Sequence, residues 1–326
     1  MEQSVATPQA AAATALRFTG RASEYFRIWI VNLCLSVLTL GIYSAWAKVR
    51  RKRYFYGSTL LSGAAFEYLG NPIAILKGRA IIVAAFIASS VLGEVHAAAG
   101  AVLFVGLFAL LPWVIQRALQ FNARNSTHRN VRLGFRGSKM DVLRVLLVAA
   151  LLVPLTLGLA YPLYLFLKRR MFVENSSYGG TRFSFSATVG DYYLAAMKLS
   201  LAFIGFLIGS IVTLGIGLLP LYLLLRGYAE ATFARLAWRG TALGDVRFDC
   251  GWTAGGLFWL YLTNTLGVLV SVGLLVPWAA VRAARYKLER ITLQSSGLGG
   301  FLAAQEQSVG AVGDEAGEML GFDFGV

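Results

Sequence analysis

The stretch "FRIWIVNLCLSVLTLGIYSAWAKVRRKRY", residues 26–54, decides how this chain is read. Its first part, 28–47, carries no charge; Lys48, Arg50, Arg51, Lys52 and Arg53 then crowd behind Trp46, and Tyr54 closes the run. An apolar segment of about 20 residues is long enough to cross a ~30 Å hydrocarbon core at ~1.5 Å per residue. Charge-free runs recur at 97–116, 145–167, 199–225 and 250–281. A shorter run, 80–93, pairs with 97–116 across "GEVH" as a helical hairpin. With 57% apolar and only 14% charged residues, the chain departs from soluble composition. The alternative of a large soluble helical protein fails on the repetition of such runs. The predicted fold is an all-α polytopic membrane protein of about six to seven transmembrane helices, built from internal repeats, with short extramembrane β-like segments.

The repeat emerges when the chain is laid on itself with a shift of 232 residues. Residues 26–54 then lie on "FWLYLTNTLGVLVSVGLLVPWAAVRAARY", 258–286, with Asn32/Asn264, Gly41/Gly273, Trp46/Trp278, Arg50/Arg282, Arg53/Arg285 and Tyr54/Tyr286 among the identities. A middle copy, "LTLGLAYPLYLFLKRRMF" at 155–172, aligns Arg170 with Arg53, and looser copies sit at Pro112 and at 213–220. Each clear copy runs apolar helix, Leu-Gly break, basic helix, then a short aromatic segment such as "FEYLG", "LGFRG", "TRFSF" or "VRFDCG". Alternation bounded by glycine predicts short strands or hairpins there.

Three regions follow: an Ala-rich, disordered N-terminal tail at 1–16, a repeat-built transmembrane domain at 17–297, and an acidic C-terminal tail at 298–326. The tail holds five acids and no Lys or Arg, leaving the preceding body at +19 against +14 for the whole chain. It is read as solvated, the alternative being that it lies on the basic faces. Cys34 and Cys250 form no CxxC or Cys/His cluster, so neither a disulfide framework nor a metal site is expected. Cys34 reads as a small packing residue.

The carried pattern resembles the YjgN-like family of bacterial inner-membrane proteins, which carry a domain of unknown function. The matching residues are "FTGRASEYF", "VNLCLSVLTLGIYSAWAKVRRKRYFY", "GAAFEYLG", "GLAYPLYLF", "TRFSF" and "GEMLGFDFG", spanning roughly 17 to 324. Ala45 stands where the family usually has Pro, although this chain's own copies keep Pro162 and Pro277. The resemblance implies an inner-membrane location and a multi-pass fold, and it brings no activity, catalytic residue or cofactor.

Trp46, Arg50, Arg53 and Tyr54 share one helical face by spacing, and Trp278, Arg282, Arg285 and Tyr286 reproduce it. Trp and Tyr settle at headgroup level, while a guanidinium fork suits phosphate. These eight residues are the candidate site for an anionic lipid headgroup or an anionic solute; the bland alternative is an interfacial anchor without a specific ligand. Nucleic acid is excluded as a partner because the charge hugs apolar runs and no recognition module is present. Asn32 and Asn264, the intramembrane polar pair, are expected to hydrogen-bond across helices or to line a polar path. Glu94 and His96 fall in a turn at the water interface, and Gly205 and Gly209 permit close helix approach.

No P-loop, HExxH, GxSxG or CxxC occurs, which argues against an enzyme. Counting Lys and Arg by side puts both termini outside for six spans. Seven spans, preferred here, put the first and last motifs on the cytoplasmic face and leave the middle motif at 168–170 outside. The expected function is binding of anionic lipid headgroups or an anionic solute, transport-like in character, with no cofactor; the alternative is a non-catalytic structural or scaffold protein. Membrane lipids are the expected partner, with a homo-oligomer as a further one.

Overall fold

The computed structural model describes residues 12–295, 297–299, 301–302 and 304–305. The five acids of the C-terminal tail and most of the N-terminal tail lie outside the described residues. Eleven short strands join into one antiparallel, nearly closed barrel. Strands β1 (Ala12–Ala15) and β2 (Arg17–Phe18) are separated only by Leu16. β1 pairs with the last strand, β11 (Ile291–Ser295), and β2 pairs with β3 (Thr59–Leu61), so the two sheet ends meet. Residues 12–15, expected in the tail, thus belong to the barrel.

Between the strands the chain leaves the barrel five times as a helical pair. The pairs are α1 (Ala22–Leu38) with α2 (Ser44–Gly57), and α3 (Pro72–Val95) with α4 (Ala97–Arg124). The third opens with α5 (Lys139–Leu147), which continues through a π-helical turn (Val148–Leu152) and α6 (Val153–Leu155) and returns as α7 (Tyr161–Glu174). Then come α8 (Val189–Val212) with α9 (Leu218–Arg239), and α10 (Ala254–Val270) with α11 (Val276–Leu288). Successive pairs are joined by the hairpins β3–β4 (Ala64–Tyr68), β5 (Ser126–His128)–β6 (Val131–Phe135), β7 (Ser176–Tyr178)–β8 (Thr181–Phe185) and β9 (Thr241–Leu243)–β10 (Val246–Cys250). Each hairpin packs on the next in chain order, and α11 returns to α1, so the helices form a ring hanging from one end of the barrel.

This corrects the expected fold class. The aromatic segments are strands, as their alternation predicted, but they are one sheet and not scattered β-like pieces. The helices are not six or seven spans: among the described residues three are long and apolar enough to cross a membrane, α3, α4 and α8. The physical reason is the Leu-Gly break. Leu40, Leu157, Leu214 and Val272 have φ of 49–50°, each followed by a glycine, Gly41, Gly158, Gly215 or Gly273, at φ of 83–91°. Two successive left-handed residues reverse the chain, so one uncharged run holds two helices and not one span. The placement of the middle motif outside, opposite the first and last, rested on that count and falls with it. Since a side chain in the left-handed region costs about 1–2 kcal/mol, Gly158→Ala is expected to lower stability by that much. Thermal unfolding in detergent would show it.

The barrel is filled, not hollow. Leu61, Val131, Tyr178, Leu243, Val246 and Leu293 are buried in one cluster, with Phe66, Leu133, Phe183 and Phe248 packed around them. Leu298, Phe301 and Leu302, which follow β11, join this cluster. The Gln305 side chain accepts from the Gly180 N–H (3.0 Å) and donates to Thr181 Oγ1 (3.1 Å). The tail region thus begins inside the barrel's packing.

Candidate functional site

Ring closure sets the first and last basic motifs on either side of α1. Phe18, Tyr25 and Val281 are buried together there, with Tyr54, Phe55, Ala280 and Ala284 against them. The sequence places these motifs 232 residues apart; the ring makes them neighbours through α1.

The eight predicted residues divide by what they touch. The Tyr54 hydroxyl accepts from the Arg21 N–H (2.7 Å) and donates to the Arg21 carbonyl (2.8 Å), while its ring stacks on Tyr25 at 5.3 Å. It pins the start of α1. Tyr286 is its counterpart at the start of α10, with its hydroxyl 3.4 Å from Thr253 Oγ1 and Arg290 over its ring at 3.8 Å. Arg53 donates from Nε to the Tyr68 carbonyl (3.3 Å), and Arg285 donates to the Gly20 carbonyl (2.8 Å). Both therefore tie the C-terminal half of a basic helix to the end of a strand.

Arg282 turns inward: it donates to Thr263 Oγ1 and, at 3.2 Å, to Asn264 Oδ1, with Trp278 beneath its guanidinium at 5.2 Å. Asn264 in turn donates to the Ala279 carbonyl (3.3 Å), so this amide bonds across helices. In the first copy Arg50 is exposed and reaches only the Tyr43 hydroxyl (3.4 Å), while Trp46 stacks on Tyr43 at 6.0 Å. Asn32 is 8% exposed, and its Oδ1 has no hydrogen-bond partner among the described residues. The two copies share side chains but hold them differently.

A third copy of the pair lies on α4, unremarked in the sequence beyond a loose match at Pro112. Trp113 and Arg117 have the same four-residue spacing, with the guanidinium 5.9 Å from the ring centre. In all three copies a buried residue, Ala45, Pro112 or Pro277, precedes the Trp. That Pro/Ala-Trp-three-Arg spacing is the sequence signal that would have found it.

Electrostatics separate the cations further. Four ion pairs occur among the described residues: Arg144–Asp141, Arg170–Glu174, Arg239–Asp249 and Lys287–Glu230. None uses Arg50, Arg53, Arg117, Arg282 or Arg285. A guanidinium has five N–H donors, and the contacts above leave several unused on each. Lys52 is different: it donates to Asn122 Oδ1 (2.6 Å) and sits 4.3 Å over the Tyr68 ring. Burial, reinforced by Lys48 and Arg51, pushes its ammonium below the usual lysine range. It is a packing cation.

Other polar places are already satisfied or structural. The cleft between α5 and α7 is lined by Asp141, Arg144, Arg170 and Glu174, whose charges pair within their own helices. Glu94 and His96 sit at the α3–α4 turn, as expected. Gly205 meets nothing, whereas Gly209 lies against Leu221 of α9; backbone-to-backbone approaches lie at Gly93 with Gly100 and at Gly227 against Ala254 and Phe258. Cys34 is exposed and Cys250 buried, both free.

The family model described as "Bacterial protein of unknown function (DUF898)" matches residues 13–220 and 208–319. A relative from Salmonella typhimurium, "Inner membrane protein YjgN", is 34% identical over 147 residues, covering 43% of this chain and 37% of the relative. A protein of the same name from Escherichia coli O157:H7 is 30% identical over 166 residues, covering 49% of this chain and 39% of its own length. The aligned part is thus well under half of these relatives. No solved structure matches the chain. With a family match along nearly its whole length and helices able to cross a bilayer, the chain belongs to the YjgN-like (DUF898) family of bacterial proteins and is a multi-pass protein of the inner membrane.

Proposed function

We propose that this protein is a non-catalytic membrane protein that seats anionic phospholipid headgroups on a belt where the helices meet the barrel. The belt consists of the Trp–Arg pairs on α2, α4 and α11, with Arg53 and Arg285 at its upper edge. The observation that carries the reading is the set of guanidiniums with unused donors and no carboxylate partner among the described residues, two of them, Arg117 and Arg282, lying over Trp rings. An aromatic face holds a guanidinium by cation–π attraction and leaves its unused N–H donors free for phosphate, and each such cation near an anionic membrane surface contributes about 1 kcal/mol. The recurrence of the motif is most simply a product of duplication. An anionic solute would satisfy the same chemistry, but the filled barrel supplies no route through the described sheet, which favours lipid over transport.

Native mass spectrometry of the detergent-solubilised chain titrated with phosphatidylglycerol and phosphatidylcholine tests this reading. Phosphatidylglycerol adducts should persist at collision energies that strip phosphatidylcholine. Equal retention of the two would leave only an interfacial anchor.

A further inference from the structure

The four Leu-Gly turns share a construction that goes beyond chain reversal. At each tip a hydroxyl one residue before the left-handed pair bridges both helices. Thr39 Oγ1 donates to the Leu35 carbonyl (2.7 Å) and accepts from the Tyr43 N–H (2.9 Å). Thr156 does the same between Leu152 and Ala160, Thr213 between Gly209 and Gly217, and Ser271 between Val268 and Leu275. Helix ends leave orphan carbonyls and N–H groups that water normally satisfies. Here side chains and turn hydrogen bonds take up most of them.

The residues presented outward are apolar. Leu40 is 94% exposed, Leu157 95%, Leu214 90% and Val272 92%. Full exposure of a large aliphatic group at the same point of four hairpins, above a turn that makes much of its own hydrogen bonding, is the arrangement for an apolar surrounding. The α3–α4 turn differs: it carries Glu94 and His96, polar groups suited to water.

Distance along the returning helix separates the same two classes. A cation resists entering hydrocarbon, so the first Lys or Arg after a turn bounds how deep that turn lies. At ~1.5 Å per residue, Lys48, Lys168, Arg226 and Arg282 lie only about 10–17 Å from their turns, half a ~30 Å core. On α4 the first cation is Arg117, about 32 Å from His96 by the same measure. That helix is long enough to emerge.

We infer that the hairpins α1–α2, α5–α7, α8–α9 and α10–α11 are re-entrant, their tips ending in the hydrocarbon interior, while α3–α4 alone crosses fully. The occupant of the four tips is bilayer hydrocarbon. α8 is long enough to cross, but Lys198 at its midpoint holds its first half at the surface and its tip turns back. The barrel and nearly all Lys and Arg then face one compartment, the cytoplasm by charge asymmetry.

Spin-label accessibility measures this directly. In the full chain with Cys34→Ala and Cys250→Ala, single labels are placed through Leu40→Cys, Leu157→Cys, Leu214→Cys, Val272→Cys and His96→Cys. In vesicles of phosphatidylglycerol and phosphatidylcholine, the four tips should collide with oxygen and not with a water-soluble nickel chelate. Their oxygen-to-nickel ratio should exceed that at position 96 by about an order of magnitude. Nickel access at the tips equal to that at 96 would make these hairpins complete spans. Low access to both reagents would mean that protein, such as a second copy, covers the tips. Either result overturns the inference, and the four sites test it independently of any one variant's folding.

Discussion

Replacing Gly100 by leucine is expected to force α3 and α4 apart and to destabilise the protein at the upper end of about 1–3 kcal/mol. A Cβ on Gly100 would lie 2.3 Å from the Gly93 Cα and 3.1 Å from the Ser89 carbonyl oxygen, both backbone atoms that cannot rotate away. These helices meet backbone to backbone just below the one polar turn. Gly106→Leu, on the same helix where a Cβ meets nothing within 4 Å, supplies the control and should be near neutral. Thermal unfolding of the two variants in one detergent checks the difference. Equal effects would mean that α3 and α4 are held elsewhere.

Glu230→Leu should have the second large effect. Its carboxylate accepts from the Tyr261 hydroxyl and from Lys287, so one side chain ties α9 to α10 and α11. Lys287 is also held by aromatic faces, 5.4 Å from the Trp252 ring centre and 5.6 Å from that of Tyr261. Removing one partner of a fully buried pair costs about 3–5 kcal/mol. Here both side chains keep about 30% of their surface, so solvent screening reduces the expected loss to about 2 kcal/mol. Glu230→Gln keeps an acceptor for Tyr261 and should lose about half as much. Glu230→Leu with Lys287→Met should recover most of the loss, because the stranded charge is gone. Strictly additive losses in this cycle would show that the pair does not couple the three helices.

Membrane class, the α3–α4 hairpin and the recurrence of the basic motif are legible in the sequence because each rests on local composition or spacing. The number of spans is not. Hydropathy reads 28–47 as continuous, since Leu40 is as apolar as its neighbours, and only the left-handed φ at Leu40 and Gly41 turns the run into two helices. Barrel closure is equally hidden. It depends on Arg17 pairing with Leu60 and on Thr14 pairing with Leu293, contacts between distant segments that carry no periodic signature. The Glu230 cluster draws single residues from three helices and leaves no motif.

At the candidate site, the spacing of Trp46, Arg50, Arg53 and Tyr54 is plain, yet the division of labour within it is not. Tyr54 and Arg53 answer to Arg21 and Tyr68, partners set by how β2 and β4 end. Lys52, matched by Ala284 in the second copy, is held against Asn122 and Tyr68. It is therefore unsuitable as a neutral control for lipid binding. Charges on the outer surface of the barrel, Arg132, Arg182 and Arg247, are exposed on β6, β8 and β10 and serve that purpose.

The most direct test of the headgroup belt is phospholipid retained per protein after detergent exchange, measured by mass spectrometry for two triple variants of equal charge. Arg50→Gln with Arg117→Gln and Arg282→Gln removes the Trp-paired guanidiniums; Arg132→Gln with Arg182→Gln and Arg247→Gln removes barrel charge. The belt predicts that the first variant loses most of its bound phosphatidylglycerol while the second retains the wild-type amount. Equal losses from both, following net charge alone, would contradict it.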